Sequence, residues 1–127
     1  MSYLFTRYVA DHAGNGFLAN LTQSSNVGVA NIANASSRGF LDWMGDWAAT
    51  LLLQSEDIAL SPYVYTSIDL AGDFAAPAST TLSLEAPSMS GVLPVSGVRY
   101  FRLTGTSQAS TDLEVSGDVR AIVMRIR

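Results

Sequence analysis

The sequence contains no cysteine and no lysine, a single histidine, and only 14% charged residues among 127. Without cysteine there is no disulfide framework, thiolate metal site, thiol nucleophile or redox switch. Without lysine there is no Schiff base and no phosphate lysine of the Walker type, and no glycine-rich phosphate loop is found either. Seven arginines stand against eleven acids, and the net charge of −4 argues against a nucleic-acid binder, whose affinity rests on clustered cations. Long apolar runs are also missing. The longest, Trp47 to Leu53, falls far short of the ~20 residues that span a bilayer. The opening Met-Ser-Tyr-Leu-Phe-Thr-Arg lacks a charged region followed by an apolar core, so a soluble protein without a secretory signal, made in a cytoplasm, is expected.

What is present is ample apolar surface, 48% of the residues, which excludes disorder and suits one domain of ordinary size. Residues 1–35 read as an N-terminal arm, aromatic at its start and then rich in Gly, Asn, Ser and Ala. Asp11 to Gly16 and Gln23 to Asn26 are turn chemistry. The short apolar pieces between and after them, Phe17 to Leu21 and Val27 to Ile32, are compatible with strands. Two sequons, Asn20-Leu-Thr22 and Asn34-Ala-Ser36, read as chance in such a stretch.

Phe40, Trp43, Met44 and Trp47 recur at helical spacing, one face of a 3.6-residue period. Gly45-Asp46 breaks that pattern, so a short helix over about 37–44 is expected, followed by a buried strand from Trp47 to Gln54. From there the period is two. Tyr63 to Leu70, Thr80 to Ala86, Val98 to Thr106, Asp112 to Ser116 and Asp118 to Ile126 read as strands. The four prolines lie in the loops between them. The expected fold is therefore mainly β: an antiparallel sandwich or barrel-like domain, residues 36–127, with one short helix and an extended arm. Val98 to Leu103 and Val119 to Ile126 are apolar on both faces. Such strands are covered on both faces, by the chain itself or by a second subunit.

Candidate chemistry is sparse. His12 sits beside Asp11 in a Gly-Asn loop, where an exposed polar residue is the plainer reading than a catalytic base. Asp42 and Asp46 fit the solvated face of a short helix, and Glu56-Asp57 a loop after a strand. Neither pair has the company of a sugar cleft. Asp11 to Gly16 lacks the alternating oxygen ligands of a calcium loop. No catalytic, cofactor or metal residue is assigned. Charge is informative instead. Between Arg38 and Arg99 there are seven acids and no base, while Val98 to Arg127 holds five arginines against three acids. This asymmetry is either internal balance or a register between subunits, for which arginine's bidentate geometry is suited.

The order Ser36-Ser-Arg-Gly-Phe-Leu, then Gly45-Asp-Trp leading into Ala48 to Leu53, then Tyr63-Val-Tyr-Thr66 and Ile68-Asp-Leu70, resembles small virion proteins of tailed bacteriophages. The ending, Val115-Ser-Gly-Asp-Val-Arg-Ala-Ile-Val-Met, is similar to their final hairpin. The likeness covers 36–127 as spaced patches. It implies a non-enzymatic structural protein of the virion, assembled in the host bacterial cytoplasm. The expected role is a capsid decoration or cement subunit that self-associates and contacts the major capsid protein, with no cofactor, nucleic acid or membrane. A tail or connector component is the nearest alternative, and a carbohydrate-binding sandwich using Tyr63 or Tyr65 is the alternative from another class. The candidate interface residues are Tyr3, Phe5, Tyr8, Phe17, Tyr63, Tyr65, Arg99, Arg102, Arg125 and Arg127. Of the early aromatics, Tyr3 and Phe5 are two apart and so also suit the buried face of an edge strand.

Overall fold

Phe5, Tyr8, Val9 and His12 recur at i, i+3, i+4 and i+7, and in the computed structural model they lie on a helix, α1 (Tyr3–Ala13), with Phe5, Tyr8 and Val9 buried. The structure describes residues 3–70, 75–85, 93–94, 97–106, 112, 114, 117 and 119–125. Gly14, at φ +91°, ends α1 in a left-handed conformation that favours glycine. Next come α2 (Phe17–Gln23), which buries Phe17, and α3 (Gly28–Ser36), which buries Ile32 and Ala35. The expected arm is thus three helices. The pieces read as strands bury one side chain each, Phe17 and Ile32, and the next inward residues, the partly buried Leu21 and the buried Ala35, follow four and three positions later, as on a helix face and not a strand.

The fourth helix, α4 (Phe40–Ser55), is continuous through Gly45 and Asp46 and includes the segment expected as a strand. Trp43, Asp46, Thr50 and Leu53 lie at steps of three and four and are all buried, with Ala48, Ala49 and Leu51 beside them. A helix buried over most of its circumference is a central element. It ends in a Schellman arrangement: the Asp57 N–H donates to the Gln54 carbonyl and the Ile58 N–H to that of Leu53. Asp57 takes the left-handed position at φ +57°.

Aromatic edges lock the helices together. Phe5 meets Phe40 and Trp47 with ring centroids 5.6 and 5.4 Å apart, and Tyr8 meets Trp43 and Tyr65 at 6.2 and 5.7 Å, all edge-to-face. Their polar tips find partners, as buried Tyr and Trp require. Trp43 donates to the Ser36 hydroxyl, Tyr8 to the Pro62 carbonyl, and Trp47 to the Tyr65 hydroxyl, which donates to the Leu4 carbonyl.

Tyr63 to Leu70, expected as a strand, is an irregular crossing over α1. Two of its backbone donors are already taken at its middle: Asp11 Oδ2 accepts from the Thr66 N–H and the Ser67 N–H, and from the Ser67 hydroxyl. A backbone held by a carboxylate in this way does not extend into a sheet. Two strands do form where alternation predicts them, β1 (Ser79–Ser83) and β2 (Tyr100–Thr104). They pair with each other in parallel, Thr81 opposite Arg102. The expected antiparallel sandwich or barrel is therefore overturned; among the described residues the chain is predominantly helical, with one two-stranded sheet. Most of 112–116 lies outside the described residues, and 119–125 joins no ladder among them.

Candidate assembly surface

The C-terminal half is laid along α4. Tyr100, at the start of β2, donates its hydroxyl to the Ala48 carbonyl at 3.0 Å. Burial of the phenol pushes its pKa up to about 12. Arg102, two residues on, pairs with Glu56 at the end of α4. Further along the helix, Arg120 donates to the Asp42 carboxylate at 2.9 Å and carbonyl at 3.0 Å, and to Asp46 Oδ1 at 3.0 Å. Gly45 makes room for this. A Cβ there would stand 3.1 Å from Arg120 Cδ and 3.3 Å from Ile122 Cδ1. The glycine that looks like a helix break is instead a place where the C-terminal segment packs closely on the helix.

Asp46 is the centre of this contact. It is 4% exposed and lies between two guanidiniums, with Arg38 on Oδ2 and Arg120 on Oδ1. Arg38 also stacks over the Trp43 ring at 4.4 Å. A buried carboxylate is tolerated only with a cation beside it, and here each oxygen has one. The basic end of the sequence thus returns onto its acidic middle at two points, Arg102–Glu56 and Arg120–Asp42/Asp46.

A second polar centre fixes the 63–70 crossing. Burial by itself would raise the Asp11 carboxyl. Hydrogen bonds from the Ser67 hydroxyl and from the Thr66 and Ser67 N–H groups, with Arg7 alongside, outweigh it and hold that carboxyl below its ordinary value. Tyr65 beside it is buried and pushed up to about 12, chiefly by desolvation. His12 is not in an exposed loop. Its Nδ1–H meets the Tyr8 carbonyl at 2.9 Å, its ring lies on Tyr8, and its Nε2 is buried without a partner among the described residues. An open cleft of about 410 Å³ runs between the end of α4 and this crossing, lined by Gln54, Asp57, Tyr65, Ser67 and Asp69 among others. Among the described residues no three of His, Asp and Glu are grouped to hold a metal, and no helix is long and apolar enough to cross a membrane.

What the C-terminal half leaves uncovered matters most. Val98, Phe101, Leu103, Val119 and Val123 are all exposed, Val123 by 74%. In β1 every residue but Leu82 is exposed, and in β2 every residue but Tyr100. A parallel ladder is ordinarily buried on both faces, and two strands alone are marginal in water. Among the described residues this arrangement offers apolar side chains and unpaired backbone edges together, which is the chemistry of strand-mediated association.

The candidate interface residues divide sharply. Phe5, Tyr8, Phe17 and Tyr65 are in the chain's own core, and Tyr63 is half-buried. Tyr3, Arg99, Arg102 and Arg125 are exposed, and Arg127 lies outside the described residues. Sequence reasoning put Asp46 on a solvated face, where it is in fact buried, read Gly45 as a break in what is a continuous helix, kept Asp11 to a turn, and gave Arg120 no role. The burial of Asp46 was legible in principle: Trp43, Asp46, Thr50 and Leu53 share one helical face, and an acid on such a face implies a buried partner. No family model, curated protein or solved structure matches this chain.

Proposed function

We propose that this chain is a non-enzymatic structural subunit of a tailed-phage virion, a capsid decoration protein that joins copies of itself on the shell. The observation that carries this reading is the uncovered C-terminal half: a parallel two-stranded sheet exposed on both faces, with five large apolar side chains in water. A helical base with an apolar, hydrogen-bonding fringe serves a protein whose partner is protein. The setting comes from the resemblance across 36–127. Its expected step from an acidic residue and Trp into a strand lies within the continuous helix α4, so the argument rests on the exposed fringe rather than on that step. The sugar-binding alternative loses a platform, because Tyr65 is 4% exposed and its face is covered.

Fractionated particles test the reading. The protein is expected in purified heads, and heads lacking it should open at lower temperature. Presence in tails and absence from heads would replace decoration with a tail role. A chain that is monomeric at every concentration and absent from particles overturns the proposal.

A further inference from the structure

Among the described residues the outer edge of β1 pairs with nothing, and it carries none of the features that keep sheet edges apart. Ser79-Thr-Thr-Leu-Ser83 has no charge, no proline and no bulge, and its threonines favour extended backbone. The free edge of β2 differs, because Arg102 stands at its middle and Arg99 just before it. We propose that the β1 edge pairs with the β1 edge of a second copy about a two-fold axis at Thr81, making a four-stranded sheet in the order β2-β1-β1-β2. This rests on the self-association reading and specifies its surface.

The sequence of β1 is compatible with itself in this register. Antiparallel pairing about Thr81 sets Thr81 against Thr81 of the second copy, Thr80 against its Leu82, and Ser79 against its Ser83. Hydroxyls meet hydroxyls on one face, and methyl groups meet Leu82 on the other, the pairings that stabilise neighbouring strands. No like charges oppose each other. Along β1 and its flanks Glu85 is the nearest charge, and its two copies would lie ~27 Å apart at ~3.4 Å per residue. Arg102, opposite Thr81 on β2, is one strand further out, so its two copies stand ~14 Å apart at ~4.8 Å per strand, and both distances exceed the ~8 Å over which salt leaves charges coupled. The same operation on β2 sets Arg102 against Arg102, so charge favours β1 as the joining edge. A two-fold contact of this kind uses one patch on both copies and closes on itself.

The absence of cysteine makes the test direct. In the full chain, Thr81→Cys places two sulfurs across the axis, where strand partners have Cα atoms ~4.5–5.5 Å apart, within disulfide reach. Ser79→Cys places them ~14 Å apart at the same strand spacing, outside it. On mild oxidation T81C is expected to form covalent dimer rapidly and S79C not. As a second variant, Thr81→Arg opposes two cations and is expected to weaken the dimer ~tenfold or more in sedimentation, with helical circular dichroism unchanged. If the native chain is oligomeric but T81C and S79C cross-link alike, or T81R leaves association intact, the β1 pairing is wrong and self-association stands. If the native chain is monomeric throughout, both readings fail together.

Discussion

Asp11 shows how much one side chain can organise. With a single carboxylate oxygen it holds two consecutive backbone N–H groups and a hydroxyl of the 63–70 crossing, and it pairs with Arg7 one helical turn away. Because its folded pKa is lowered, the linked stability is fully present above the unfolded value of 3.8 and is lost as pH falls through the folded one. Replacing Asp11 by Asn should therefore flatten the acid side of a melting-temperature profile, while the loss at neutral pH persists as a constant offset. Parallel profiles for the two proteins would contradict this assignment. The same residue explains why alternation misled. Tyr63 to Leu70 has the period of a strand, but period reports only where side chains point, and here the consecutive N–H groups of Thr66 and Ser67 are bonded to a side chain of α1.

Two positions set the character of α4. Asp57 occupies the left-handed cap that glycine fills at least strain, so Asp57→Gly should stabilise the protein by ~0.5–1 kcal/mol, read as a shifted urea midpoint at constant slope. Gly45 works by absence. Gly45→Leu should leave helical circular dichroism intact while amide exchange in 119–125 accelerates, because the new side chain takes the space of Arg120 and Ile122. Unchanged protection there would show that the segment is not seated on α4. At this scale the sequence was partly legible. The Phe40, Trp43, Met44, Trp47 stripe correctly marks a helix, β2 falls within the expected Val98 to Thr106, and β1 overlaps the expected Thr80 to Ala86 but starts at Ser79. The helices of 3–36 were missed because Gly, Asn and Ser punctuate the chain between them as turn residues do. Phe5, Tyr8 and Val9 carry a helical spacing in α1, but α2 buries only Phe17 and α3 only Ile32 and Ala35, too few to display a period.

At the scale of the molecule, the described residues form two unlike parts: four helices and the 63–70 crossing around an aromatic core, and the two strands with 119–125 lying outside it. Local pattern identified β1 and β2 but could not say that they would meet each other in parallel and in water, since pairing depends on which surfaces the helices leave open. If association completes the sheet, stability is coupled to concentration. The melting temperature should then rise with protein concentration, most steeply near the dimer dissociation constant. A melting temperature independent of concentration, in a range where sedimentation shows dimers, would place the contact away from any element that unfolds with the core.

The buried Asp46 is held from two directions, by Arg38 from the helical part and by Arg120 from the C-terminal segment. Either arginine alone keeps the charge compensated, so the protein has redundancy at its most costly buried group. Removing one should cost ~1 kcal/mol, whereas removing both strands a bare carboxylate and should cost ~3 kcal/mol or more, a non-additivity that a double-mutant cycle reads directly. Additive losses would mean that each oxygen acts independently. Redundancy of this kind lets the segment that carries Arg120 lift off and return without the buried Asp46 ever losing its last cation, leaving that segment free to rearrange on a base that does not change.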